Sequence, residues 1–143
     1  MANAKMTVAE LEAFLHKEFP QAFIGGNILI ESADGASSLL RQPYSEHMLR
    51  PGGTVSGPTL MTLADFAMYV VLLSAIGPVG LAVTTSFNIN FLRRGQPGQD
   101  ILAAAKLLRL GKRLAVGEVL LLSGTSPDPI AHVTSTYSIP PST

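Results

Sequence analysis

Two residues eight positions apart, Gly57 and Asp65, hold the most evident chemistry in this chain. They lie in the segment Gly52-Gly-Thr-Val-Ser-Gly-Pro-Thr-Leu-Met-Thr-Leu-Ala-Asp65. Ser56 reads as a helix N-cap, and Pro58 fits the first helical turn, where its missing N–H costs nothing. Free N–H groups at such a start can receive a developing oxyanion, and the aligned peptide dipoles favour negative charge there. Asp65 is a candidate general base or nucleophile. At roughly 1.5 Å per residue the two lie about 12 Å apart along one helix. A single thioester or ester carbon, with contacts of about 3 Å, cannot touch both. If they serve one reaction, they come from two chains packed helix beside helix. The alternative is that Asp65 is a buried polar residue, hydrogen-bonded across a subunit interface and without chemistry.

The elements that must position these residues follow from periodicity. An apolar run from Leu60 through Ile76 carries the helix forward, and Gly77-Pro78 stops it. From Leu60 to Val83 the only charge is Asp65, a length and composition that imitate a membrane span. Against that reading, Gly77-Pro78 and Gly80 interrupt the run, no Lys or Arg cluster flanks it, and Thr62, Asp65 and Ser74 would need partners in lipid. Burial against a sheet on one side and a partner on the other explains it better.

Upstream, Thr7 and Glu10 form a capping box before the stripe Val8, Leu11, Phe14, Leu15 and Phe19, which predicts a helix over 7–19. Phe23 to Glu31 and Ala36 to Gln42 read as strands around Ala33-Asp34-Gly35. Ala82 to Leu92 alternates, with Val83, Thr85, Phe87, Ile89 and Phe91 on one face and Thr84, Ser86, Asn88 and Asn90 on the other. Asp100 to Leu110 and Leu114 to Ser123 flank Gly111-Lys112-Arg113, and Ile130 to Ile139 follows the Ser126-Pro-Asp-Pro129 turn. One long helix among five or six mostly antiparallel strands is an α+β fold in which the sheet wraps the helix.

Length and composition set the remaining bounds. The 143 residues read as one domain, and a 47% hydrophobic content leaves apolar surface for subunit contacts, so an oligomer is expected. The absence of cysteine excludes disulfides, thiolate catalysis and cysteine-ligated metals. His16, His47 and His132 are scattered without metal-ligand spacing, so no metal site is expected. His47, three residues before Arg50, reads as an ordinary loop histidine, and His132 as a satisfied sheet residue. Ser56-Gly57 is no nucleophile elbow, because no strand ends directly before it. The first residues contain no apolar signal core, so a cytoplasmic location is expected.

Arg93, Arg94, Lys106, Arg109, Lys112 and Arg113 are six of the ten basic residues, with Asp100 the only acid between them. Such a set can hold phosphates at a pocket rim, or it can be solvated strand ends. A net charge of zero and the lack of interleaved exposed aromatics argue against nucleic acid.

The succession Gly53-Thr-Val-Ser-Gly57…Leu63-Ala-Asp65-Phe-Ala67, Thr84-Thr-Ser-Phe-Asn-Ile-Asn-Phe-Leu-Arg93, Leu108-Arg-Leu-Gly-Lys-Arg113 and Ile130-Ala-His-Val-Thr-Ser-Thr-Tyr137 resembles the hotdog-fold acyl-CoA thioesterases. The phenylacetate-degradation type is the nearest in pattern, and the resemblance spans about residues 36 to 139. It implies a homodimer, or a dimer of dimers, that hydrolyses acyl-CoA with no cofactor beyond the coenzyme A of the substrate. Gly57 matches the first glycine of the family's His-Gly-Gly, whose amide polarises the thioester carbonyl. Asp65 matches the acid that acts as base or nucleophile from the opposite subunit. Thr84 falls where a Ser or Thr often positions the attacking water. Arg109, Gly111, Lys112 and Arg113 resemble the region that holds coenzyme A.

Three residues at the helix mouth depart from the family pattern while remaining candidate substrate contacts. Ser56 replaces the histidine, Pro58 the second glycine, and Arg50 a common asparagine. Proline removes one donor but leaves the Gly57 N–H. Arg50 would either bind a substrate carboxylate or pair with Asp65 or Glu46, and the ion pair is the expectation. The sequence therefore reads as an acyl-CoA hydrolase using Asp65 and Gly57. A non-catalytic acyl-CoA or aromatic ligand-binding dimer is the alternative, and a hydratase of the same fold ranks third.

Overall fold

The computed structural model describes residues 4–23 and 27–141. Its elements are α1 (Val8–Glu18), a 3-10 turn at Pro20–Phe23, β1 (Leu29–Ala33), β2 (Ser37–Gln42), a short 3-10 turn at Glu46–Met48, α2 (Gly57–Ile76), β3 (Val83–Phe91), β4 (Ile101–Leu110), β5 (Leu114–Ser123) and β6 (Ala131–Ser138). The six strands form one antiparallel sheet in the order β1-β2-β4-β5-β6-β3. It packs against α2 as the hotdog resemblance implies.

The helices begin and end as their sequences dictate. Thr7 Oγ1 accepts from Glu10 N at 3.2 Å and Thr7 N donates to Glu10 Oε1 at 2.9 Å, completing the capping box of α1. Leu11 and Leu15 are its fully buried residues. Ser56 caps α2, accepting from Thr59 N at 3.3 Å, with Pro58 in the first turn. Gly77, at φ 96°, takes the C-cap conformation that a side chain resists.

Among the described residues, α2 is the one helix long and apolar enough to cross a membrane, but it lies packed within the protein. Its buried Ser74 has protein partners, donating to Val71 O at 2.7 Å and accepting from Gly35 N at 3.1 Å.

Strand alternation turns small residues toward this helix. Ala103 and Ala105 of β4, and Ala115 and Gly117 of β5, face inward and let α2 approach closely. On the outer face, Glu118 takes Lys106 Nζ at 3.2 Å and His132 Nε2 at 3.1 Å, so His132 has its partner within the sheet. Those two contacts, His132 first, hold the Glu118 carboxyl below its ordinary range.

Two elements differ from the sequence reading. The expected first strand starts at Leu29 rather than Phe23, because Phe23 closes the turn that Pro20 opens; Ile24, Gly25 and Gly26 of that expected strand lie outside the described residues. Strand β3 does not keep one alternation throughout. Its register against β6 shifts between Thr84 and Ser86, a bulge that turns Thr84 to the helix side, the side of Phe87 and Ile89. Thr84 thus leaves the polar face that strict alternation assigns it.

Gly117 marks where packing tolerates no side chain. A Cβ there would lie 2.5 Å from Met68 Sδ and 2.8 Å from Lys106 O. We expect Gly117→Ala to destabilise the fold by about 1–3 kcal/mol, the usual cost of overpacking, read as a lower chemical-denaturation midpoint with an unchanged slope.

Candidate active site

Asp65 emerges from α2 in its third turn, half-buried, and its carboxylate is held from two strands. Thr84 Oγ1, on the bulge of β3, donates to Asp65 Oδ1 at 2.7 Å. Tyr137 OH, on β6, reaches the same oxygen at 3.0 Å and the Asp65 carbonyl at 3.2 Å. Thr84 and Tyr137 are direct cross-strand partners, so one register fixes both donors. Among the described residues Asp65 Oδ2 has no protein donor. Burial pushes the Tyr137 phenol well above its ordinary range, and the Asp65 charge adds to the effect. Tyr137 therefore stays protonated and donates.

These three residues stand at the wall of a cavity of about 1080 Å³. Phe14 of α1, Phe19 at its C-cap, Phe66 and Tyr69 of α2, and Phe87 of β3 set aromatic rings in its lining. Tyr69 OH donates to Gly80 O at 2.9 Å, tying the loop after α2 to the helix. The Phe14 ring lies against Gly80, where a Cβ would come within 3.3 Å. Burial raises the Tyr69 phenol, with a smaller contribution from the charge of Glu18 at the same cavity. Such a chamber suits an apolar group held next to a carboxylate.

The other expected site residues lie elsewhere. Gly57, Ser56 and Pro58 are at the start of α2, outside the cavity lining. Among the described residues the Gly57 N–H has no hydrogen-bond acceptor. The Phe91 ring covers its Cα side, 3.2 Å from where a Cβ would stand. Ser56 Oγ pairs with Thr59 Oγ1 at 2.8 Å in addition to its capping contact.

Arg50 is exposed, and its backbone closes the loop before α2 through Arg50 N to Thr54 O at 2.9 Å and Gly53 N to Arg50 O at 3.0 Å. Among the described residues it pairs with neither Asp65 nor Glu46, so the expected ion pair is not formed. The carboxylate is occupied by hydroxyl donors instead.

The basic residues separate into two groups. Arg109 near the end of β4, and Gly111, Lys112 and Arg113 in the β4–β5 turn, lie at the sheet end where Leu114 pairs with Ser138 and Ser138 with Val83, the end that carries Thr84. Arg93 and Arg94 lie at the opposite end, beyond Phe91, where Arg93 Nη1 donates to Pro129 O at 2.7 Å. Lys106 is committed to Glu118.

Sequence reasoning missed Tyr137 as a partner of Asp65, and missed that α1 walls the cavity. The first had a signal: alternation along the last strand turns Tyr137 inward, and a buried phenol needs a hydrogen-bond partner. The second had none, because the docking of α1 is a tertiary outcome.

A long central helix embraced by an antiparallel sheet, with an acid inside the helix and a glycine at its mouth, defines the hotdog thioesterase class. The thioesterase superfamily profile matches residues 52–129, and the chain belongs to that family. A crystal structure of a candidate thioesterase from Silicibacter sp. TM1040 is 40% identical over 98% of this chain and 96% of that one, with a TM-score of 0.88. The E. coli PaaI protein of the phenylacetic acid degradation operon shares the fold at 22% identity, covering 91% and 90% of the two chains, with a TM-score of 0.71. A hypothetical thioesterase from Streptococcus pneumoniae, solved with coenzyme A, shares it at 21% identity over 91% and 96%, with a TM-score of 0.73. No curated protein is a significant sequence match.

Filling the cavity tests whether it is the binding chamber. Ala22, half-buried, lies in its lining. We expect Ala22→Trp to weaken binding of an apolar fluorescent dye such as anilinonaphthalene sulfonate by about 10-fold or more, with circular dichroism unchanged.

Proposed function

We propose that this protein is a dimeric hydrolase of acyl-CoA thioesters, with the acyl group in the aromatic cavity and Asp65 as the catalytic acid–base. The observation that carries this reading is the Asp65 carboxylate at the cavity wall, with Oδ1 held by two hydroxyls and Oδ2 without a donor among the described residues. A water bound to Oδ2 would attack the thioester carbon while Asp65 takes its proton. The oxyanion formed on the former carbonyl oxygen would accept from the Gly57 N–H at the positive end of α2. Collapse breaks the C–S bond, and the Asp65 carboxyl returns the proton to the departing thiolate. Direct attack by Asp65, giving an anhydride that water then cleaves, uses the same residues.

The site needs a second subunit, because Gly57 and Asp65 of one chain are about 12 Å apart. Strand β3 supplies the means. It is one edge of the sheet, β1 being the other, and Val83 and Phe91 at its two ends are more than half exposed. Antiparallel pairing of two β3 edges about their midpoint brings the Phe91–Gly57 end of one chain to the Thr84–Asp65 end of the other. The same pairing carries Arg93 and Arg94 of one subunit toward the Arg109, Lys112 and Arg113 end of its partner. These cations would hold the coenzyme A phosphates. The S. pneumoniae neighbour solved with coenzyme A supports a substrate of this class. Arg50, Ser56 and Pro58, at the mouth of α2, would line the thioester entrance, and the exposed Arg50, in no ion pair among the described residues, would be available to a substrate carboxylate.

Asp65→Asn should lower kcat on the best acyl-CoA of a short, long and aromatic panel by about 100-fold or more, with KM nearly unchanged, measured by free-thiol release. Unaltered turnover removes Asp65 from the mechanism. A parent protein that binds acyl-CoA but cleaves none of the panel is instead a binding module.

Mixed dimers test the shared site. Asp65→Asn and Gly57→Val homodimers should each be nearly inactive, the latter because valine must displace the Phe91 ring and obstruct the amide. Unfolded, mixed and refolded together, they should regain activity, since one of the two sites in a heterodimer then has both residues intact. Tagged heterodimers that form without hydrolysing thioester would contradict a cross-subunit site.

A further inference from the structure

Both hydroxyl donors to Asp65 converge on one oxygen, and this asymmetry assigns a role to a residue outside the expected site. Thr84 has a single hydroxyl proton and gives it to Oδ1 at 2.7 Å. Toward water it can therefore act only as an acceptor. Tyr137 divides its single proton between the Asp65 carbonyl and Oδ1, at 3.2 and 3.0 Å. Its residue is almost wholly buried, at 3% exposure, and its ring stacks on Tyr69 with centroids 6.0 Å apart and 18° between planes. A donor fixed this firmly clamps both ends of the Asp65 residue, backbone and carboxylate, to β6.

We propose that Tyr137 is a positioning residue: it locks the Asp65 carboxylate through Oδ1, so that Oδ2 alone faces the cavity and meets water or the thioester. This rests on the hydrolase reading above. The phenol remains a donor across the working range, since burial holds its proton on. Thr84 supplies the second clamp, and its place on the β3 bulge is what allows it to reach the carboxylate. With Oδ1 doubly occupied, rotation of the carboxylate about its Cβ–Cγ bond would forfeit two hydrogen bonds at once. The reactive oxygen is thus set before substrate arrives.

Tyr137→Phe keeps the ring and its stacking while removing the hydroxyl. We expect kcat to fall about 10-fold while KM changes by less than about 2-fold. In an Asp65→Asn background the same substitution should have no further effect on the residual rate, because its action passes through the carboxylate. A merely structural residue would give equal losses in both backgrounds, and that result would overturn the proposal.

A second readout does not depend on turnover. Infrared difference spectra between the parent and Asp65→Asn identify the Asp65 carboxylate bands, and Tyr137→Phe should shift them, with Thr84→Val shifting them again. Unmoved bands would show that Tyr137 does not hold Asp65. Moved bands with unchanged kcat would show that the clamp has no catalytic role. A parent that cleaves no thioester overturns the hydrolase reading and the catalytic role with it, while the band shift still decides whether the clamp exists.

Discussion

One carboxylate in an otherwise apolar helix is the constraint around which this structure is arranged. A charge on a helix packed against a sheet is costly unless hydrogen bonds replace its lost water. On α2 itself Tyr69 OH is given to Gly80 O, and the hydroxyls that reach the carboxylate come from the strands the helix faces. Thr84 and Tyr137 reach Asp65 from β3 and β6, and because they are cross-strand partners the sheet register and the helix position must agree. The bulge at Thr84–Ser86 follows from the same demand. Without the extra residue, Thr84 would point away from the helix and the carboxylate would lose its shortest contact.

Close approach is the second requirement, and small residues meet it. Ala103, Ala105, Ala115 and Gly117 let α2 settle low onto β4 and β5, where large side chains would lift it away from the sheet. At the other flank of α2, beside β3 and α1, large aromatic rings stand around an open space rather than filling it. The fold thus pairs a tightly packed side with a hollow one, and Asp65 sits on the wall of the hollow. On the packed side the contacts have almost no tolerance, while on the hollow side space is left between rings.

Much of this was legible in the chain. Ser56, Pro58 and Gly77 mark the ends of α2, Thr7 and Glu10 the start of α1, and the limits of β5 follow directly from its apolar pattern and flanking turns. Local signals of this kind persist because capping and turn geometry involve residues a few positions apart. What failed was nonlocal or required one residue of irregularity. Strict alternation put Thr84 on the wrong face, since period-two reasoning carries no notice of a bulge. Proximity in sequence and opposite charge suggested an Arg50–Glu46 or Arg50–Asp65 pair, yet the carboxylate found neutral donors, and an exposed guanidinium loses little by remaining in water. The six basic residues looked like one patch because they are close in sequence, whereas the topology sends five of them to opposite ends of the sheet and leaves Lys106 with Glu118 between.

That division of charge bears on why β3 is left as it is. An edge strand with exposed apolar residues at both ends is a liability unless something covers it. Covering it with an identical strand in antiparallel fashion would relieve the edge, join the two groups of cations, and bring the Gly57 end of one helix toward the Asp65 carboxylate of the other. A single operation then answers three separate deficits in the isolated chain: unpaired strand edges, a split basic surface, and a helix mouth about 12 Å from its carboxylate. The deficits are independent in physical kind, one of hydrogen bonding, one of electrostatics and one of distance. Their common solution is what supports the proposed dimer, in which each β3 would be both the seam and the ruler of the site.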